Sequence, residues 1–105
     1  MTVTTCTMGR IMREKQIETA LVRTVKSNGG MCPKLVCPGT DGMPDRMVLL
    51  PDSHIGFVEV KAPGKKPRPL QDLRHRQLKQ LGFKVFVLDE EKKITSILKE
   101  INDNG

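Results

Sequence analysis

Tryptophan and tyrosine are missing from this 105-residue chain, and phenylalanine occurs only three times. Proteins that hold single strands without reading their sequence usually stack bases on aromatic rings. A chain this poor in rings is expected to hold nucleic acid, if it does so, by phosphates rather than bases. Cysteine is scarce too: Cys6, Cys32 and Cys37 are odd in number and too few for a disulfide scaffold, which agrees with a reducing compartment. No apolar run approaches the roughly 18 residues of a membrane helix. The opening MTVTTCTMGRIM lacks the charged start and apolar stretch of a secretory signal, so a cytoplasmic protein is expected. The length allows one small domain with one modest core.

What is present is positive charge, +6 in total. Along the chain, residues 1–40 carry +4, 41–61 carry −2, 62–84 carry +6 and 85–105 carry −2. The surplus is densest in Lys65, Lys66, Arg68, Arg74, Arg76, Lys79 and Lys84. It directly follows an acidic stretch holding Asp41, Asp45, Asp52 and Glu59. A basic run alone is most often a solvated face; its acidic neighbour makes this one a candidate phosphate track.

Residues 1–12 are Thr-rich without periodicity and read as a loose arm, ahead of a single domain over 13–105. From Arg13 to Lys26, Ile17, Leu21 and Val25 recur at helical spacing, and Asn28-Gly29-Gly30 supplies a stop. Met31 to Val36 reads as a short strand. Met47-Val48-Leu49-Leu50 and Phe57-Val58-Glu59-Val60 read as two strands joined at Pro51-Asp52-Ser53-His54. Ala62 to Pro69, with three Pro and three cations, is an extended basic loop. Leu70, Leu73, Leu78 and Leu81 mark a second helix, Val85 to Leu88 a further strand, and Glu91 to Ile101 a last helix. The fold class is α/β: a mixed sheet flanked by helices in the order αβββαβ, with a helix closing the chain.

Asp45 and Glu59-Val60-Lys61 are the chemically suggestive residues. If the two strands form an antiparallel hairpin centred on Asp52, Asp45 lies opposite Glu59. Opposed side chains share a face with β-carbons roughly 4.5 to 5.5 Å apart, and Lys61, two residues on, shares it as well. Two carboxylates so close repel unless a cation sits with them. Mg²⁺ suits such a site, since it takes one or two carboxylates and completes its shell with water and phosphate; the Val60 carbonyl adds an oxygen. The plain alternative is a turn-capping Asp45 and a cross-strand Glu59/Lys61 surface pair worth under about 1 kcal/mol. Against it, Glu59 interrupts an apolar strand and Pro44-Asp45 sits at matching register.

Gly42-Met43-Pro44-Asp45-Arg46, the strand Gly56-Phe57-Val58-Glu59-Val60-Lys61 with its Ala62-Pro63-Gly64 continuation, and Gln71 opening a helix closely resemble the VRR-NUC (virus-type replication-repair nuclease) branch of the PD-(D/E)xK nucleases. The resemblance spans residues 13 to about 89. It implies a restriction-endonuclease-like core and a Mg²⁺- or Mn²⁺-dependent endodeoxyribonuclease. By that resemblance Asp45, Glu59 and the Val60 carbonyl are metal ligands, Lys61 is the catalytic lysine, Glu18 completes the metal shell, and Gln71 is the helix glutamine near the site. Family members often carry an aromatic shortly after that Gln; here Arg74 and His75 stand there.

The resemblance further implies cleavage of branched DNA, Holliday junctions in particular, by a homodimer, in a bacterial or phage-infected cell. Arg46, Lys65, Lys66, Arg68 and Arg74 are the expected DNA contacts, with Lys34 a further candidate. A flap or nicking nuclease active only with partner proteins, and a non-catalytic nucleic-acid-binding module, are the alternatives. Cys32 and Cys37 form no zinc pattern, because no second pair accompanies them. His54 and His75 read as ordinary polar residues.

Overall fold

The computed structural model describes residues 2–103, with side chains described from Arg13 onward. Helix α1 spans Thr2–Ser27, strand β1 Arg46–Leu50, strand β2 His54–Val60, helix α2 Pro69–Gln80, strand β3 Lys84–Leu88 and helix α3 Ile94–Asn102. A single turn of 3₁₀ helix, Glu91–Lys93, precedes α3. The stretch expected as a loose arm, residues 1–12, lies outside the residues whose side chains are described. Among the described residues no helix is long and apolar enough to cross a membrane.

The three strands form one sheet in the order β1-β2-β3. β1 runs antiparallel to β2 with Leu50 opposite His54 and Arg46 opposite Val58, and β2 runs parallel to β3 with Phe57 beside Val85 and Glu59 beside Val87. The hairpin is therefore centred on Asp52, the register expected from the sequence. Asp52 and Ser53 both take φ of 67° to close it. The strand expected over 31–36 does not form. Met31 and Lys34 make isolated bridges to Leu49 and Arg46, and Pro33, which has no N–H, only accepts, from Met47 N at 3.1 Å.

Side-chain alternation divides the sheet into two faces. Val48, Leu50, Val58, Val60 and Leu88 point to one side and pack on Ile17, Leu21 and Val25 of α1 and on Ile94, Ile97, Leu98 and Ile101 of α3. Gly56 permits the close approach of α3, because a β-carbon there would stand 2.5 Å from Ile101 Cδ1. On the other side Phe57 and Val85 pack on Leu78 of α2, with Leu35, Met43 and Met47 at the margin. Phe57 meets Phe83 edge to face at 5.5 Å. Asp45, Glu59 and Lys61 are odd-numbered like Phe57, so they belong to this second face.

Candidate active site

The loop before β1 is shaped to deliver Asp45. Gly42 takes φ of +87°, and a β-carbon there would come within 2.9 Å of Leu70 Cγ and of the Leu70 carbonyl. Glycine thus lets the turn lie against the start of α2, where Arg74 Nε donates to the Asp41 carbonyl at 2.7 Å. Pro44 is fully buried and restricts the backbone just ahead of Asp45. The Asp45 carboxylate is then held by the Val60 backbone N–H, which donates to Oδ2 at 2.8 Å.

Glu59 sits opposite, 1% exposed, in the middle of an otherwise apolar strand. Its Oε2 accepts from Gln71 Nε2 at 3.0 Å, and Lys61 Nζ lies 3.6 Å from the same oxygen. Its Oε1 is buried with no hydrogen bond. Burial first, and then the neighbouring Asp45 carboxylate, push the Glu59 pKa up to about 8, while Lys61 pulls it down. Gln71 is fixed in turn: its Oε1 accepts from the Arg68 N–H at 2.8 Å, so one buried side chain both ties the first turn of α2 and holds Glu59.

This donor set fits a hard divalent cation. Two carboxylates are held together at a cost in proton affinity, one has an oxygen without a partner, and the available ligands are all oxygen. Among the described residues no group of three or more His, Cys, Asp or Glu side chains is placed to hold a metal ion. Asp45 and Glu59 are thus the side-chain donors, which suits Mg²⁺ with water and phosphate filling its remaining positions.

Glu18 lies elsewhere. Its Oε2 accepts from Arg46 Nε at 2.9 Å, and Arg46 Nη1 donates to the Cys32 carbonyl at 2.9 Å. Arg46, even-numbered, is turned by strand alternation to the α1 side, where it pairs with Glu18. Arg46, expected on DNA, is occupied inside the protein, and Arg74 anchors the 41–42 turn and reaches Gln77 Oε1 at 3.0 Å. Lys65, Lys66 and Arg68 lie on the loop beside the site, with Lys65 and Lys66 exposed, and Lys34 is exposed on the segment flanking β1. The Cys32 thiol is raised to about 11, chiefly by burial, and is a protonated core group.

One site residue escapes sequence reasoning. His75, which reads as an ordinary polar residue, is 6% exposed, and its Nε2 lies 3.6 Å from Glu59 Oε1. Burial lowers its pKa, keeping the ring neutral near pH 7. A signal is present all the same: His75 follows Gln71 by four residues and so shares its helix face.

No protein-family model matches the chain. It is 48% identical over 93 residues to the protein named "Putative nuclease p44" of Acyrthosiphon pisum secondary endosymbiont phage 1, a match covering 89% of this chain and 99% of that one. A solved structure described as "VRR_NUC domain" superposes with a TM-score of 0.78 at 31% sequence identity, over 83% of this chain and 95% of that chain.

Proposed function

Because the chain belongs to the VRR-NUC family of nucleases, we propose that it is a metal-dependent, structure-selective DNA endonuclease that hydrolyses phosphodiesters of Holliday junctions or other branched DNA. The observation that carries this reading is Glu59: a carboxylate 1% exposed, opposite Asp45, with one buried oxygen unpartnered. Such a charge is costly to keep without a compensating cation.

Asp45, Glu59 and the Val60 carbonyl would hold Mg²⁺ or Mn²⁺. When bound, the ion neutralises charge on the phosphodiester and lowers the pKa of a water. Gln71 fixes the Glu59 carboxylate. Lys61, whose Nζ lies 3.6 Å from Glu59 Oε2, positions the water that attacks phosphorus in line with the leaving 3′-oxygen, or as the neutral amine takes its proton, giving 5′-phosphate and 3′-hydroxyl ends. Glu18, whose Oε2 accepts from Arg46 Nε, would complete the shell directly or through water. Lys65, Lys66 and Arg68 hold the DNA backbone beside the site, and because phosphate contacts position without specifying, no base sequence is preferred. Paired cuts across a junction need two sites related by symmetry, so the active species is a homodimer.

A panel of four-way junction, flap, fork and plain duplex, incubated with the purified protein in Mg²⁺, Mn²⁺ or EDTA, tests the reading. Cutting of branched substrates only with metal, by a species of twice the chain mass in solution, is the expected result. Cutting in EDTA, or binding without cutting in either metal, contradicts it.

A further inference from the structure

We propose that His75 is a positioning residue for Glu59: its Nε2–H holds Oε1, so that the carboxylate presents one orientation to the cation. The inference rests on the metal-dependent reading above. It starts from the buried side-chain atoms without partners, which among the described residues are Glu59 Oε1 and His75 Nε2. Buried polar atoms without partners are few in any folded protein, and these two face each other across 3.6 Å. That distance is too long for a hydrogen bond, yet a shift of about 0.6 Å closes it. Catalytic contacts are commonly this loose until the site is loaded.

The placement gives the contact a use. A carboxylate's last torsion is broad and roughly two-fold, so a hold on one oxygen leaves its rotation soft. Gln71 holds Oε2; His75, one turn later on α2, stands at Oε1. Two donors on one helix face thereby fix both oxygens, and each oxygen keeps a lone pair for the metal. Packing alone does not call for an imidazole here. The buried apolar residues of this face are Phe57, Leu78 and Val85, and an apolar side chain beside them would avoid the unpaired nitrogen. Hydrogen-bond partners of metal ligands typically change metal affinity by about 10 to 100-fold when removed.

The test is Mn²⁺ binding to the full chain, followed by the electron spin resonance of free Mn²⁺, in wild type, His75→Leu, His75→Asn and His75→Gln. Unfolding in EDTA confirms that each variant is folded. Glutamine can carry an N–H to the position of Nε2, whereas asparagine is too short and leucine has no donor. His75→Gln should bind Mn²⁺ within about threefold of wild type, and both His75→Asn and His75→Leu should bind about 10 to 100-fold more weakly. Wild-type affinity in His75→Leu or His75→Asn, or a loss in His75→Gln as large as theirs, overturns the proposal. Should a variant fail to fold, the comparison of those remaining with wild type decides it. Absence of Mn²⁺ binding by wild type itself would instead sink the metal-dependent reading, and this inference with it.

Discussion

Among the described residues, thirteen on the side of the sheet turned to α1 and α3 form a continuous buried cluster, and twelve of them are aliphatic, with Cys32 the exception. On the side turned to α2, the buried apolar cluster has three residues, Phe57, Leu78 and Val85. Beside it lie Glu59, Gln71 and His75, which are the buried polar side chains among the described residues. The first side stabilises the fold through apolar burial. The second gives up part of that stabilisation to keep a carboxylate pair, an amide and an imidazole away from water. A domain this small tolerates such an arrangement because the cost is confined to one face, an instance of the trade between stability and activity.

Mutations on the two faces should therefore separate activity from stability. The widest separation of the two is expected from Lys61→Ala, which should slow cleavage of a branched substrate by roughly 10²- to 10⁴-fold while leaving DNA affinity and thermal midpoint close to wild type. Single-turnover kinetics beside binding titration check it. Ile101→Ala, on the other face, should show the reverse: a loss of about 2–5 kcal/mol in stability by denaturant titration, with cleavage per folded molecule retained.

Glu59→Gln sharpens the contrast, because it should abolish cleavage yet stabilise the metal-free protein. The folded carboxyl titrates near 8 against 4.5 for an unperturbed one. Between those values the folded state keeps a proton that the unfolded chain has lost, so stability of the metal-free protein falls as pH rises from about 4.5 to about 8. The amide removes that dependence and should add about 1–3 kcal/mol at pH 8.5, measured by chemical unfolding in EDTA at several pH values. Reversing Lys65, Lys66 and Arg68 to Glu should weaken DNA binding and lower the slope of log affinity against log salt by up to about 0.9 for each phosphate no longer neutralised. An unchanged slope would place the DNA track elsewhere. The smallest change is expected from Glu18→Gln. It breaks a partly exposed pair with Arg46, should cost under about 1 kcal/mol, and should slow cleavage far less than Glu59→Gln does.

Much of this is legible in the residues. The turn formers at Pro51-Asp52-Ser53 set the hairpin centre, and that centre alone places Asp45 opposite Glu59, in keeping with the register of the strands. Helical spacing locates α3, whose Ile94, Ile97, Leu98 and Ile101 are all buried; α2 forms over the expected segment, but of Leu70, Leu73, Leu78 and Leu81 only Leu78 is buried, because the face turned to the sheet carries Gln71 and His75. Three features escape for identifiable reasons. The segment over 31–36 is apolar enough for a strand, but Pro33 breaks its ladder, and only pairing with β1 reveals how little remains. Nearness to Asp45 suggests a DNA contact for Arg46; strand alternation puts adjacent residues on opposite faces, and so sends Arg46 to Glu18. His75 gives no sign in composition, since its place at the site depends on α2 docking over Glu59.

Whether DNA is cut at the α2 face is the central question. The most direct measurement is cleavage of a labelled four-way junction in Mg²⁺ by wild type and Asp45→Ala, with affinity for the same junction measured in parallel in EDTA. Metal-dependent cutting by wild type and none by Asp45→Ala, at equal affinity, is the expected result. Undiminished cutting by Asp45→Ala would contradict it.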